Sequence, residues 1–302
     1  MPELLNTIVP IFVVIGVGLL ASQRGFLPTE FLGPANRLVY HLAIPAMIFR
    51  AVATGDLERQ FDLPVLAVSL GTLGVVCLVA HLVARLYGLE RPARATFTQT
   101  SFHGNLGYIG LAVVFFHLGD EAMGRASILA GFIMILQNLL GVVVLSTGPE
   151  APRGIRWRRV LGNPIILASM LGIGFSAAGI ELPGMADQSL AIIAHMALPL
   201  ALLVIGATLS PRQIRSSLKA AASASMIKLV VLPAIGLAAW RWLGLAPAAY
   251  LPALILLACP TATVTYVMGR EMGGDADLAG AVVSLSTLLS GATFLGWLSL
   301  VG

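Results

Sequence analysis

The apolar run at residues 95–116 is long enough to cross a bilayer, yet its centre is polar and rich in glycine. The centre combines four polar side chains with three glycines: Ser101, His103, Asn105 and Tyr108, and Gly104, Gly107 and Gly110. Polar groups are costly in hydrocarbon unless a partner or water satisfies them, and each glycine weakens a helix by up to about 1 kcal/mol. The run therefore predicts a broken helix that faces a polar cavity. The alternative is a glycine-rich packing helix with a few interhelical hydrogen bonds.

The composition of the chain predicts an integral membrane protein. Hydrophobic residues make up 58% of it and charged residues 11%, whereas soluble domains carry about 25% charged residues. Long, continuous apolar runs favour an all-α membrane fold over barrel strands. The net charge of +4 is dispersed over loops, so we expect the lipid bilayer and no nucleic acid as a partner. Cys77 and Cys259 have no metal-site or disulfide spacing, and no metal or cofactor is predicted.

About ten apolar segments have the length that a bilayer requires, and no soluble domain fits between them. They lie at residues 4–22, 32–53, 63–87, 95–117, 122–145, 160–179, 185–209, 218–240, 247–269 and 278–300. No Lys or Arg precedes the first segment, which favours a retained span over a cleaved signal peptide.

The basic residues predict the orientation of these spans. Most Lys and Arg residues lie in loops after odd-numbered segments, and the longest of these loops, residues 148–159, carries four arginines. By the positive-inside rule, these loops are cytoplasmic. We therefore expect a multi-pass protein of the plasma membrane with both termini extracytoplasmic.

The two halves of the chain repeat each other. The sequence HLAIP at residues 41–45 recurs as HMALP at residues 195–199, and Asn105 aligns with Cys259. Because each repeat holds five spans, an odd number, the second must enter the membrane from the opposite side. The expected organisation is an inverted repeat of two five-helix units, at residues 1–147 and 160–302, joined by a cytoplasmic linker at residues 148–159.

The repeat pairs the first interrupted span with a second one, the fourth span with the ninth. Pro260 removes a helical hydrogen bond in the middle of the ninth span. At 1.5 Å per residue, Asn105 and Pro260 lie about 16 Å and about 15 Å from the cytoplasmic ends of their spans. Both breaks are therefore near mid-membrane, and if they cross, half-helix N-termini meet there with partial positive charge. The predicted substrate-binding residues are Ser101, His103, Asn105, Gly107, Tyr108, Gln137, Asn138, Cys259, Pro260, Thr261, Thr263 and Lys228.

Lys228 is deep in the eighth span, where a lysine costs on the order of 3 kcal/mol. We interpret it as a functional cation whose partner is a substrate carboxylate, helix C-terminal carbonyls or cavity water; the alternative is a lysine that snorkels to the cytoplasm. His41 with Pro45, and His195 with Pro199, are interpreted as structural kinks.

The sequence Asn163-Pro164 is typical of a helix start. No Asp or Glu occupies the middle of any predicted span, which argues against a carboxylate proton relay or an aspartate-based sodium site. No hydrolase, metalloprotease or phosphate-binding motif is present, so no enzyme is predicted.

Taken in order, several motifs resemble the auxin efflux carrier family in a bacterial-type form. They lie at residues 36–49, 105–110, 163–166, 197–207 and 259–262. The resemblance implies a fold similar to bile acid symporters and sodium–proton antiporters, with scaffold spans 1, 2, 6 and 7, and transport spans 3–5 and 8–10 that move as an elevator. It also implies organic anions such as auxin, malate or malonate as substrates, a homodimer and a bacterial inner membrane. The first crossover lacks a proline and the second has Cys259 where symmetry suggests asparagine, so plant-type substrate recognition is not carried over.

Together these features predict a secondary active or potential-driven transporter of a small organic anion, working by alternating access with efflux as the expected direction. Two alternatives stay open: a cation or proton antiporter on the same fold, and a non-transporting membrane receptor. The missing mid-span carboxylates argue against the first, and mid-membrane helix breaks would be an unexpected energetic cost in the second.

Overall fold

The computed structural model describes residues 2–55, 61–146, 162–210, 213–214 and 217–301. Within these ranges the chain is helical, has no strand, and contains one isolated β-bridge. The helices are α1 Pro2–Gln23, α2 Thr29–Leu38, α3 Ile44–Ala53, α4 Leu63–Leu86, α5 Arg91–Thr100, α6 Leu111–Leu118, α7 Glu121–Leu145, α8 Pro164–Ala177, α9 Gly184–His195, α10 Ala197–Thr208, α11 Leu218–Met226, α12 Leu232–Trp242, α13 Pro247–Ala258, α14 Val264–Glu271 and α15 Ala276–Val301.

Six helical segments of the described chain are long and apolar enough to cross a membrane. They are Leu4–Gln23, Leu63–Leu86, Glu121–Leu145, Gly184–Thr208, Leu218–Trp242 and Ala276–Val301. Further apolar helices are shorter, at Leu106–Leu118, Pro164–Ala177 and Pro247–Ala258. The expected all-helical membrane protein is therefore confirmed. The predicted linker at residues 148–159 lies outside the described residues.

The helix ends follow local sequence signals. The predicted start at Asn163 is confirmed: its side chain accepts hydrogen bonds from the backbone N–H groups of Ile165 and Ile166, at 2.9 and 3.4 Å. Asp62 caps α4 in the same way through the N–H of Val65. Gly88 ends that helix at a φ of 65°, in the left-handed region that glycine tolerates best.

Three π-helical turns interrupt the helices, and two of them precede a proline. Val39–Ala43 joins α2 to α3 ahead of Pro45, and Ile227–Val231 joins α11 to α12 ahead of Pro233. Since Pro233 has no N–H, it cannot donate to the carbonyl four residues earlier, that of Leu229. The indole Nε1 of Trp297 donates to this carbonyl instead, at 2.8 Å.

The first of these turns contains one predicted kink, and the end of α9 coincides with the other. His41 lies within the turn before Pro45, and α9 ends at His195, four residues before Pro199 in α10. Both histidines are exposed to the surroundings of the protein. The helix geometry therefore changes at both places where the repeated His-to-Pro motif occurs.

Helix α1 packs closely along α10 because glycines remove side chains at the contact. A methyl group added to Gly18 would overlap the carbonyl oxygen of Leu203, and one added to Gly206 would overlap that of Ile15. Backbones that approach this closely are typical of small-residue packing between membrane helices. The two helices therefore form a closely packed pair.

We expect Gly18→Ala to destabilise this pair. Overpacking costs about 1–3 kcal/mol, more than the gain of about 0.5–1 kcal/mol that alanine brings to a helix interior. Thermal unfolding of the purified protein in detergent should show a Tm several degrees below wild type. Gly16→Ala is the matched control, since its methyl group would meet nothing within 4 Å. Equal melting of the two variants would contradict the prediction.

Candidate functional site

The two interruptions predicted from sequence touch each other. Helix α5 ends at Thr100 and helix α13 at Ala258, and the irregular residues that follow pair as a short antiparallel bridge between Gly104 and Thr261. The N–H of Asn105 donates to the carbonyl of Pro260 at 2.7 Å, and the N–H of Ala262 donates to that of His103 at 3.0 Å. Backbone groups freed by one break are thus satisfied by the other, as burial requires.

Side chains cap the carbonyl ends of both half-helices. The hydroxyl of Thr261 donates to the carbonyl of Thr100 at 2.8 Å, at the end of α5. The ammonium of Lys228 donates to the carbonyl of Leu257 at 2.7 Å, at the end of α13. Helix C-termini carry partial negative charge, so a cation is a favourable cap. One half-helix therefore ends on a neutral group and the other on a charged one.

Gln137 of α7 holds the first break in place. Its Nε2 donates to the carbonyl of Gly104 at 3.1 Å, and its Oε1 accepts from the Gly104 N–H at 3.0 Å. The side-chain amide thus pairs with both polar groups of one residue. Gly104 itself has no room for a side chain, since a methyl group there would lie 2.8 Å from the Cys259 sulfur.

A cavity of 720 Å³ lies in front of the crossing. Its lining residues come from the two interrupted regions and from α2, α7, α8, α10, α14 and α15. Predicted site residues that line it are His103, Asn105, Gly107, Tyr108, Gln137, Asn138 and Thr263. Its lining within the described chain contains no Asp, Glu, Lys or Arg. The cavity therefore carries several polar side chains on a largely apolar lining, and no permanently charged side chain.

The other predicted site residues lie outside the cavity lining, in the packed crossing behind it. Ser101 donates to the carbonyl of Phe97 at 2.8 Å, and Cys259 is fully buried against Gly104. Pro260 takes part in the backbone pairing, and Thr261 caps the end of α5. Lys228 is fully buried, and its side chain contacts the end of α13. These residues build the crossing, whereas the lining residues face the space where a ligand would sit.

Asn36 and Tyr40 of the α2 region line the cavity without having been singled out from sequence. The hydroxyl of Tyr108 donates to Oδ1 of Asn36 at 2.6 Å and so links the first break to α2. Asn163, predicted only as a helix cap, also lines the cavity. A lone asparagine in an amphipathic helix carries no local signal that distinguishes a cavity residue from a surface one.

The chemistry of the cavity suits an anion. Asn105 Oδ1 accepts from the N–H of Tyr108 at 3.3 Å, and the amide NH2 of Asn105 is its remaining donor. Helical segments begin at Leu106 and Val264, both of which line the cavity. The first N–H groups of a helix lack intrahelical partners and attract negative charge.

Apolar helices, two of them interrupted beside a cavity with polar side chains, are typical of a membrane transporter. The chain belongs to the family described as membrane transport protein, whose model matches residues 4–149 and 151–298. It is a transporter rather than an enzyme.

The relatives of known name differ in how much of this chain they match. A protein of Rhizobium meliloti named "Putative malonate transporter" is 27% identical over 100% of this chain and 97% of its own length. An "Uncharacterized transporter" of Methanothermobacter thermautotrophicus is 27% identical over 94% of both chains. "Auxin efflux carrier component 1" of Arabidopsis thaliana is 29% identical over 44% of this chain and 22% of its own length. The resemblance to auxin efflux carriers is thus confirmed at the level of the family.

Proposed function

We propose that this protein carries a small organic anion across the membrane by alternating access. The observation that carries the proposal is the cavity that lacks permanently charged lining residues while Asn105 and two helix N-termini face it. Neutral donors of this kind bind a carboxylate and release it again, because they do not hold it as strongly as a paired arginine would. The name of the Rhizobium meliloti relative makes malonate the first substrate to test.

We propose two moving parts, a scaffold and a transport unit, each built from helices of both halves of the expected inverted repeat at residues 1–147 and 160–302. The scaffold would consist of α1–α3 and α8–α10, and the transport unit of α4–α7 and α11–α15, with the broken helices crossing in it. The lining of the cavity combines residues of α2, α8 and α10 with residues of the breaks, α7 and α15, and this supports the division. In an elevator movement, the second group would slide past the first.

The proposed orientation places both termini outside a bacterial inner membrane. With that orientation the cavity opens toward the cytoplasm, since its lining includes Asn163 at the start of α8 and Thr208 at the end of α10. A homodimer is proposed from the family resemblance. Cysteines placed at the termini should react with impermeant reagents added to intact cells, and protection of both ends would contradict the orientation.

We expect electrogenic anion efflux that needs no sodium. The described cavity lining offers no carboxylate to carry a proton or to bind sodium. The negative-inside potential supplies about 2.3 kcal/mol per charge per 100 mV for anion exit. Purified protein in liposomes should release labelled malonate, or another anion from a carboxylate panel, at a rate that rises with an imposed potential.

The same assay separates the alternatives. Replacing sodium by N-methylglucamine at fixed voltage should leave the rate unchanged, and a sodium requirement would contradict the energetic part of the proposal. Cation movement without anion movement would indicate an antiporter. No flux with any carboxylate at any potential would contradict the transport of organic anions.

A further inference from the structure

Lys228 is a fully buried lysine that does not line the cavity. Lysine is almost never fully buried unless paired. No carboxylate partners it within the described chain, where the observed salt bridge joins Arg50 to Asp187. Its observed partner is the backbone carbonyl of Leu257, 2.7 Å from the ammonium nitrogen.

The ammonium lies where the two broken helices meet. A methyl group added to Gly104 in the first break would lie 3.3 Å from Nζ of Lys228 and 2.8 Å from the sulfur of Cys259 in the second. Leu257 is in the last turn of α13, just before that second break. The side-chain nitrogen of Lys228 is therefore enclosed by both breaks, outside the cavity lining.

Local geometry directs the lysine to this place. Lys228 lies in the π-helical turn Ile227–Val231, which precedes Pro233. Trp297 secures the same turn by donating to the carbonyl of Leu229. Such single π-helical turns are frequently found at functional sites. The sequence repeat aligns Lys228 with Gly74, so the first half of the chain has no equivalent cation.

We propose that the ammonium of Lys228 occupies the position of a coupling cation and makes anion transport independent of any dissolved one. Transporters with broken helices hold sodium ions at unwound backbone carbonyls and at half-helix C-termini, and Leu257 supplies such a carbonyl here. A tethered ammonium closes the crossing and keeps a positive charge behind the anion site throughout the cycle. Lys228 is thus a positioning residue, which acts on the anion through the crossing. This inference rests on the proposed function.

The test is to remove the tethered cation and supply a free one. Lys228→Ala leaves space beside the carbonyl of Leu257. We expect this variant in liposomes to lose at least about tenfold in anion flux in N-methylglucamine medium, and to recover part of it with sodium, methylammonium or ethylammonium. The wild type should not respond to these cations. Lys219→Ala, which removes an exposed lysine of the same membrane span, Leu218–Trp242, should behave as the wild type does.

A second readout needs no transport. The Tm of purified Lys228→Ala in detergent should rise on titration with sodium or ethylammonium chloride, and that of wild type and Lys219→Ala should not. Absence of any cation response in folded Lys228→Ala, or wild-type flux without added cation, overturns the proposal. If Lys228→Ala does not fold, Lys228→Met fills the space: it should lose flux whatever the cation, and wild-type flux would overturn the proposal. Failure of the proposed function would instead appear as a wild-type protein that moves no anion.

Discussion

Replacing Asn105 by alanine is expected to reduce anion transport by about 10- to 100-fold while the protein still inserts and folds. Hydrogen bonds to charged groups contribute about 1.5–3 kcal/mol, and each 1.4 kcal/mol is a factor of about ten in affinity. Loss of one hydrogen bond within a membrane protein costs only about 0.6 kcal/mol on average. Flux measured in liposomes should therefore fall far more than the Tm of the purified protein.

A second variant at the same position separates two roles of the Asn105 side chain: accepting a hydrogen bond from Tyr108 and donating one to the anion. Asn105→Asp keeps an oxygen to accept from the N–H of Tyr108, but it replaces the amide donor by a negative charge. We expect it to fold with a wild-type Tm and to be at least as inactive as Asn105→Ala. Wild-type flux in either variant would indicate that the crossing serves only packing and that Asn105 does not bind the anion.

Gln137→Leu is expected to damage the structure of the site as well as its activity. The substitution leaves the buried N–H and carbonyl of Gly104 without their partners, and each unsatisfied group costs about 1–3 kcal/mol. The break should loosen, so both the Tm and the flux in liposomes should fall. This combined loss distinguishes a residue that holds the crossing from one that contacts the anion.

The control for this substitution is Gln188→Leu, which removes an exposed amide from α9 without touching the crossing. It should melt and transport as the wild type does. Gln137→Glu adds a finer comparison, because it keeps the acceptor for the Gly104 N–H and loses the donor to the Gly104 carbonyl. A Gln137→Leu protein with a wild-type Tm would show that the paired hydrogen bonds do not stabilise the crossing.

The sequence predicts best those features of the fold that depend only on residues close together in the chain. Asn163 followed by proline predicts a helix start, and capping needs only neighbouring backbone groups. The glycines and polar side chains around Asn105 predict an interruption because they weaken a helix whatever surrounds it. Hydropathy alone likewise predicts the membrane helices. These signals are local, so a single sequence contains them.

Contacts across the chain could not be predicted in the same way. Whether Lys228 meets a carboxylate or a carbonyl depends on Leu257, 29 residues away, and on a π-helical turn that the nearby Pro233 does not specify by itself. The contribution of Asn36 depends on Tyr108, 72 residues away. Among the candidate residues, the division between cavity lining and buried crossing is decided by such distant partners.

The backbone pairing of the two breaks has a consequence for how this part of the molecule opens. Non-helical segments usually exchange their amide hydrogens rapidly, because they open locally at little cost. Here the N–H groups of Gly104 and Asn105 are bonded to α7 and to the second break, and that of Ala262 is bonded to the first. Neither break can open without releasing the other. The crossing therefore behaves as one cooperative unit, and its irregular backbone should exchange with deuterium as slowly as the helices on either side.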